Sequence, residues 1–145
     1  MHSGKKIDVV KTKGKLNVLS EKLNGGNDIK GTAGIGHTRW ATHGAPSDIN
    51  AHPHVFGKFA LVHNGIIENY LKLREFLESR RYTFSTETDT EVIPHLIDYY
   101  YDTCHDFKDA VRRCALELKG SFAIGVVSSK SPGEIIAVSN HSPLV

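Results

Sequence analysis

One short segment of the sequence concentrates side chains that could bind a small charged ligand. Residues 34–44 read GIGHTRWATHG, with an arginine, a tryptophan, two threonines and two histidines between glycines. The guanidinium of Arg39 is a planar fork of N–H donors that fits a carboxylate. Thr38, Thr42 and His43 would add short polar contacts around it. The alternative is an exposed strand end in which Arg39 pairs with an acidic side chain, and this segment alone leaves both open.

Two other positions could act on such a ligand. Asn64 and Gly65 could form an oxyanion hole, because a side-chain amide and an adjacent backbone N–H can donate to one developing negative charge. As an isolated dipeptide, Asn-Gly is more often a tight turn. Asp89 could receive a substrate ammonium, although its place in Thr88-Asp89-Thr90-Glu91 is more typical of a helix cap.

Hydrophobic periodicity predicts an α+β chain that would position these residues. Beyond the last predicted helix, two strands joined at residues 130–133 should form a hairpin. The loop over residues 41–57 is longer than most unstructured connections and holds three histidines, which favours a functional role. We predict strands over 6–12, 32–40, 59–63, 121–128 and 134–139, and helices over 16–23, from Asn69 as cap to Arg80, from Thr90 or Glu91, and over 106–119.

Composition excludes several classes of protein. At 145 residues the chain is one domain or a piece of one, and a net charge of +2 gives no argument for a nucleic-acid or membrane partner. The basic residues near the N-terminus alternate with apolar ones and indicate a solvated face. No apolar run reaches the ~18 residues of a membrane span, and the start lacks a signal peptide, so we expect a cytoplasmic protein.

The two cysteines and nine histidines do not indicate a metal centre. Cys104 and Cys114 belong to no C-x-x-C pair, and Cys114 shares a helix face with apolar residues, so a small buried hydrophobe is the simplest interpretation. Metal-dependent hydrolysis at His52-x-His54 is a weaker alternative, since no H-E-x-x-H helix is present. We therefore expect neither a metal nor a cofactor.

Four motifs in this order carry a family resemblance: GHTRWATHG, NAHPH, VHNGIIENY and STETDTEV. They resemble the glutaminase domain of class II glutamine amidotransferases, and among these the amino-sugar branch of glutamine–fructose-6-phosphate aminotransferases. The likeness runs from about Lys13 to the final HSPLV. It implies the four-layer αββα sandwich of N-terminal nucleophile (Ntn) hydrolases, and release of ammonia from glutamine for transfer to fructose 6-phosphate.

The same resemblance implies a role for each motif residue. Arg39 would hold the glutamine α-carboxylate with Thr42 and His43, and Asp89 would hold the α-ammonium. Asn64 and Gly65 would form the oxyanion hole, and Trp40 would belong to a loop that closes over glutamine. The partners implied are glutamine and the sugar-isomerase domains of a longer enzyme.

The family's nucleophile is an N-terminal cysteine that opens a Cys-Gly-Ile-Val-Gly strand, and the sequence given contains no such segment. Residues 1–145 are therefore expected to be a partial domain that lacks the first strand, the first helix and the sugar-isomerase domains. We expect it to be inactive alone. We also expect it to self-associate through the edge that the missing strand leaves next to strands 59–63 and 121–128, or to be held in order by another copy. The alternative is a glutamine-binding or docking module without chemistry.

Overall fold

The structure of the protein, a computed structural model, describes residue 1, residues 6–39 and residues 43–143. Two short 3₁₀ turns, Asn24–Gly26 and Asp89–Glu91, accompany its helices and strands. The helices are α1 (Leu16–Lys22), α2 (Tyr70–Glu78), α3 (Val92–Cys104) and α4 (Phe107–Glu117). The strands are β1 (His54–Phe56), β2 (Phe59–Gly65), β3 (Phe122–Ser128) and β4 (Ile135–Asn140).

The four strands form one antiparallel sheet in the order β1-β2-β3-β4. The central strands β2 and β3 pair from Phe59 opposite Ser128 to Gly65 opposite Phe122. Three successive residues are buried at the start of both strands, which means that both faces of the sheet are covered there. The predicted C-terminal hairpin is confirmed as β3 and β4.

Helix α3 lies centrally in the helical layer, between α2 and α4 and over β1 and β2. Ile93, Leu96 and Ile97 are buried because they lie on one face of α3 at helical spacing, and Pro94 is tolerated in its first turn. The predicted helices over 16–23, 70–80, from 90 and over 106–119 are confirmed with ends shifted by at most two residues. No helix in the described ranges is long and apolar enough to cross a membrane.

Cys114 is fully buried in α4, which confirms it as a small core residue. Burial raises the pKa of its thiol above the ordinary value. Cys104, at the end of α3, is partly exposed, and neither cysteine forms a disulfide with the other. A core thiol of this kind contributes packing and is not a nucleophile.

Two of the predicted strands are wrong. Residues 6–12 and the described part of 32–40 form no strand, and only Ile7 and Ala33 are isolated bridge residues. Alternating apolar and polar residues favour an extended backbone, but a strand also needs a neighbour that pairs with its N–H and C=O groups. The prediction that residues 41–57 form a loop throughout is also wrong, because His54–Phe56 pairs with β2 and forms strand β1.

Asn69 does not cap α2 as predicted, because its amide joins two helices instead. Its nitrogen donates to the Glu117 carbonyl at 2.9 Å and its oxygen accepts from the Lys119 N–H at 2.9 Å, so it satisfies the end of α4. At the other end of α4, Asp106 does cap, accepting from the Asp109 N–H at 2.7 Å.

Candidate functional site

A cavity of about 300 Å³ lies where three chain segments meet at the end of β2. One wall comes from the described residues His37, Arg39, His43 and His52, one from the end of β2 and the residue after it, and one from residues 88–90 before α3. Trp40 and Thr42, which the sequence places in the site, lie outside the described residues. Of the other predicted residues, Thr38 lines an adjoining cavity, whereas this cavity is lined by Arg39, His43, Asn64, Gly65 and Asp89.

The backbone at Gly65 requires glycine. Its φ is +124°, and a Cβ there would collide with the carbonyl oxygen of Ser121. The N–H of Ile66 donates to that oxygen at 2.9 Å, so the neighbouring Gly65–Phe122 pair is of the non-hydrogen-bonded kind. The N–H of Gly65 therefore points away from β3, to the same edge of β2 as the N–H of His63.

The side chain of Asn64 is held by a residue that the sequence analysis missed. Its amide oxygen lies 2.8 Å from Nε2 of His37, which therefore donates to it, because an amide oxygen can only accept. In the part of the chain that the structure describes, no group accepts from the Asn64 amide nitrogen. Two N–H donors of this amide are thus left for a ligand.

Asp89 is buried at 3% exposure, and its carboxylate joins two walls of the cavity. One oxygen accepts from the N–H of Ile67 at 2.8 Å. The other accepts from the Thr90 hydroxyl at 3.4 Å and lies 3.9 Å from Nδ1 of His43. Asp89 therefore does not serve as a helix cap, which its sequence position had favoured, and its second oxygen lies at the cavity.

Glu91 fixes the segment that carries Asp89, a role that the sequence analysis also missed. The predicted capping box with Thr88 does not form. Instead the Glu91 carboxylate accepts from the N–H and hydroxyl groups of Ser85 and Thr86 at 2.7 to 2.8 Å. Burial alone would raise the pKa of Glu91, but these hydrogen bonds outweigh it and lower the pKa below its ordinary value.

Arg39 holds the loop beside it in shape. Its Nη2 donates to the carbonyl oxygens of His43 and Gly44, and its Nη1 donates to that of Ala45 at 3.4 Å. Within the described residues, Arg39 forms no ion pair, so the acidic partner that the alternative interpretation requires is not found there. Three of its five N–H groups are used in these bonds, which leaves two for a ligand.

Three histidines form a largely buried wall next to the cavity. Burial is the main cause that lowers the pKa of His52 to about 2, of His54 to about 3 and of His63 to about 4. His63 Nδ1 lies 2.9 Å from the Thr90 hydroxyl, and its Nε2 is buried without a partner among the described residues. These rings are therefore neutral near pH 7, where they act as polar walls and not as charges.

Neither metal chemistry nor a cysteine nucleophile can be assigned from the described residues. No three His, Cys, Asp or Glu side chains there are placed to hold a metal ion. Neither Cys104 nor Cys114 lines the cavity.

A second cavity of about 650 Å³ adjoins the first and shares His37, Arg39 and His52 with it.

Residues 37–144 match the family described as the glutamine amidotransferase domain. The chain belongs to the glutamine amidotransferase family. The matched range contains all of the predicted site residues, from Arg39 to Asp89.

Curated relatives of this amidotransferase domain are much longer proteins. The chain is 54% identical over 142 residues to glutamine–fructose-6-phosphate aminotransferase (isomerizing) of Clostridium acetobutylicum, covering 97% of the chain and 23% of the relative. It is 48% identical over 145 residues to the protein of that name from Thermococcus kodakarensis, covering 99% and 24%. The chain therefore spans less than a quarter of the length of these relatives.

A solved amidotransferase shares the fold. Glutamine phosphoribosylpyrophosphate (PRPP) amidotransferase of Bacillus subtilis, complexed with ADP and GMP, is 30% identical, with a TM-score of 0.76 over 88% of the chain and 28% of that protein. The α+β class and the Ntn hydrolase type of fold are thus confirmed. Strands β1 to β4 form one sheet of that fold, and helices α2 to α4 form one helical layer.

Proposed function

We propose that the cavity binds glutamine and that the domain, once supplied with a thiol, hydrolyses it to glutamate and ammonia. The observation that carries this proposal is the convergence of five residues on one cavity. Asp89 gives a negative group, Arg39 gives a positive group, and Asn64 with Gly65 gives neutral N–H donors in the same cavity. A free amino acid with a reactive amide needs this set, because its two charged groups and its carbonyl oxygen are recognised separately.

One oxygen of Asp89 would hold the α-ammonium. Its other oxygen is already used by Ile67 N–H, so the carboxylate is fixed before the ligand arrives. Arg39 would meet the α-carboxylate with the two N–H groups that its loop contacts leave over. His43, 3.9 Å from Asp89, would sit between the two charged groups of the ligand.

The oxyanion that forms when the amide carbon is attacked would be met by two donors. The N–H of Gly65 points to the edge of β2 that β1 leaves uncovered, since the last pair of β1 and β2 is His54 with Leu61. The amide nitrogen of Asn64, on the preceding residue, is without a described acceptor. Removing one such donor from an amidohydrolase costs about 10²- to 10³-fold in kcat.

The attacking thiol would come from outside these 145 residues, because both cysteines lie away from the cavity. The adjoining cavity of about 650 Å³ offers room for a segment that carries it. The relatives by name transfer the amino group to fructose 6-phosphate, and we propose that this domain supplies ammonia to sugar-isomerase domains for the same reaction.

The second candidate function is a glutamine-binding module without chemistry. The same absence of a cavity cysteine favours it. The two proposals share the binding step and differ in catalysis, so one pair of measurements separates them.

The test combines calorimetry with an ammonia-release assay. The 145-residue chain is titrated with L-glutamine and with D-glutamine as control. The chain joined to the Cys-Gly-Ile-Val-Gly segment that the resemblance implies, and its Cys→Ala variant, are assayed for ammonia. Selective binding with thiol-dependent release supports the amidotransferase. Binding without release in any form supports the binding module, and absence of glutamine binding contradicts both.

Self-association stays a prediction. The open edge of β4, where Ile135 is 47% exposed, could pair with another strand. Sedimentation at micromolar concentration tests it, and a monodisperse monomer would contradict it.

A further inference from the structure

We propose that His37 is a positioning residue that fixes the side-chain amide of Asn64 with its oxygen turned to His37 and its NH₂ group turned to the ligand cavity. This inference rests on the proposed function for its consequence in catalysis. The contact itself is the 2.8 Å distance between Nε2 of His37 and Oδ1 of Asn64, two residues that lie 27 positions apart in the sequence.

The His37 ring is itself held from the strand that carries Asn64. It stacks on His52 with ring centroids 4.3 Å apart and planes inclined by 24°. Nδ1 of His52 accepts from the backbone N–H of His63 at 3.2 Å. The contacts thus run from β2 at His63, through two stacked rings, back to β2 at Asn64. This closed path restrains the position of the His37 donor relative to the strand.

The other ring nitrogen decides which way the amide is turned. Nδ1 of His37 is buried and has no hydrogen-bond partner among the described residues. With the Asn64 oxygen at Nε2, the ring proton lies on Nε2, and the unpaired Nδ1 is only an acceptor. With the amide reversed, Nε2 would accept and the neutral ring would carry its proton on Nδ1. A buried N–H without a partner is rarer and more costly than a buried acceptor without one, so the reversed amide is disfavoured.

The orientation matters only when negative charge develops. A reversed Asn64 would present its oxygen to the oxyanion and repel it, while the charged ends of glutamine would still meet Asp89 and Arg39. A positioning defect of this kind lowers kcat and leaves ground-state binding nearly unchanged. It should therefore lower kcat at nearly unchanged KM. A loss of folded protein would do the same, so kcat is referred to the concentration of folded enzyme, and recovery in a donor-restoring variant distinguishes the two causes.

The first measurement is made on the 145-residue chain. Long-range ¹H–¹⁵N spectra of the histidine rings report which nitrogen of His37 carries the proton. We expect Nε2–H, together with a side-chain NH₂ signal of Asn64 that shifts when glutamine is added. A proton on Nδ1 of His37 overturns the inference, whether or not glutamine binds, so this result is independent of the proposed function.

The second measurement uses the thiol-bearing form of the chain. His37→Phe keeps a ring that can stack on His52 but removes the donor, and His37→Gln restores an N–H donor. We expect kcat to fall about 10- to 100-fold in His37→Phe with KM within about twofold, and to recover in large part in His37→Gln. His105→Asn, at an exposed left-handed position at the end of α3, is the matched control and should leave both constants unchanged.

The outcomes separate the two proposals. An unchanged kcat in His37→Phe, with a melting temperature equal to that of wild type, overturns the positioning role and leaves the proposed function standing. Equal losses in His37→Phe and His37→Gln overturn it as well, since the donor would not be the cause. Wild-type protein that neither binds glutamine nor releases ammonia overturns the proposed function, and with it the role of His37 in catalysis.

Discussion

Two regions of the molecule build the cavity in different ways. The loop region, the described residues of 6–53, has one buried residue, Asn50. The sheet–helix region, residues 54–143, contains the whole hydrophobic core. The loop region brings Arg39 and His43 to the cavity, and the sheet–helix region brings Asn64, Gly65 and Asp89. Under the proposed function, recognition of the ligand carboxylate would depend on a wall held by hydrogen bonds, and the chemistry on a wall held by packing.

The largest effect on stability should come from truncating a buried side chain in the core of the sheet–helix region. Phe59 is fully buried on β2 against the rings of Tyr101 and Phe107, and Phe59→Ala should lower the free energy of unfolding by about 3–5 kcal/mol. Leu16→Ala in the loop region, where the side chain is 66% exposed, should change it by less than about 0.5 kcal/mol. Urea unfolding followed by circular dichroism measures both, and equal losses would erase the distinction between the regions.

A nearly equal loss is expected at Gly65, where the core region meets the cavity. Gly65→Ala would combine a φ of +124° with a clash against the Ser121 carbonyl, and should cost at least about 3 kcal/mol. Gly133→Ala is the matched control, because Gly133 also has a positive φ, of +80°, but no atom within 4 Å. It should cost about 1 kcal/mol. Similar unfolding midpoints for the two variants would show that the close approach to Ser121 is unimportant.

Acid should weaken the boundary between the two regions. His52, His54 and His63 have folded-state pKa values of about 2, 3 and 4, below the ordinary 6.5, so the unfolded chain binds more protons below pH 6.5. Stability is then full above about pH 6.5 and falls as the pH drops. Between pH 6.5 and 5.5 each histidine should contribute a loss on the order of 1 kcal/mol.

The acid effect is checked by urea unfolding at several pH values. His54→Gln should reduce the slope of stability against pH by about a third, since one of the three histidines is then removed. A stability that stays constant from pH 7 to pH 5 would contradict the buried, neutral state of these rings.

The sequence predicted the sheet–helix region better than the loop region for a physical reason. Helices α2 to α4 and strands β2 to β4 follow local periodicity, which a sequence shows directly. The prediction of strands over 6–12 and 32–40 was wrong because strand pairing depends on a partner that is distant in the sequence. β1 was missed because its three residues are too few to show alternation, and pairing with β2 defines it.

The site divides in the same way. The five predicted residues that line the cavity were found from motifs and their resemblance, since residue types within short segments are visible in the sequence. The contacts of His37 with Asn64 and of Glu91 with Ser85 depend on how segments fold together. Asn69 and Glu91 have the residue types of helix caps, but tertiary partners take their hydrogen-bonding groups. No local pattern distinguishes these cases from real caps.

The smallest predicted effect compares the two ends of the ligand. Arg39→Lys keeps the charge but loses the planar guanidinium, so it loses both the loop carbonyl contacts and the two N–H donors that remain for a carboxylate. We expect glutamine affinity to fall about 10-fold, or about 1.4 kcal/mol, in calorimetry.

Asp89→Asn, at the other end of the ligand, should lower glutamine affinity about 10- to 100-fold, because the fixed negative charge for the ammonium is lost while the side chain keeps its shape. Glu87→Gln, on the segment before Asp89 but not among the residues that line the cavity, is the control and should bind as wild type. The two substitutions should also differ in their effect on stability. Arg39→Lys should leave the unfolding midpoint nearly unchanged, whereas Asp89→Asn disturbs a buried hydrogen bond from the Ile67 N–H and should lower the midpoint. Glutamine affinities within twofold of wild type in both variants would mean that the ligand does not lie between Arg39 and Asp89.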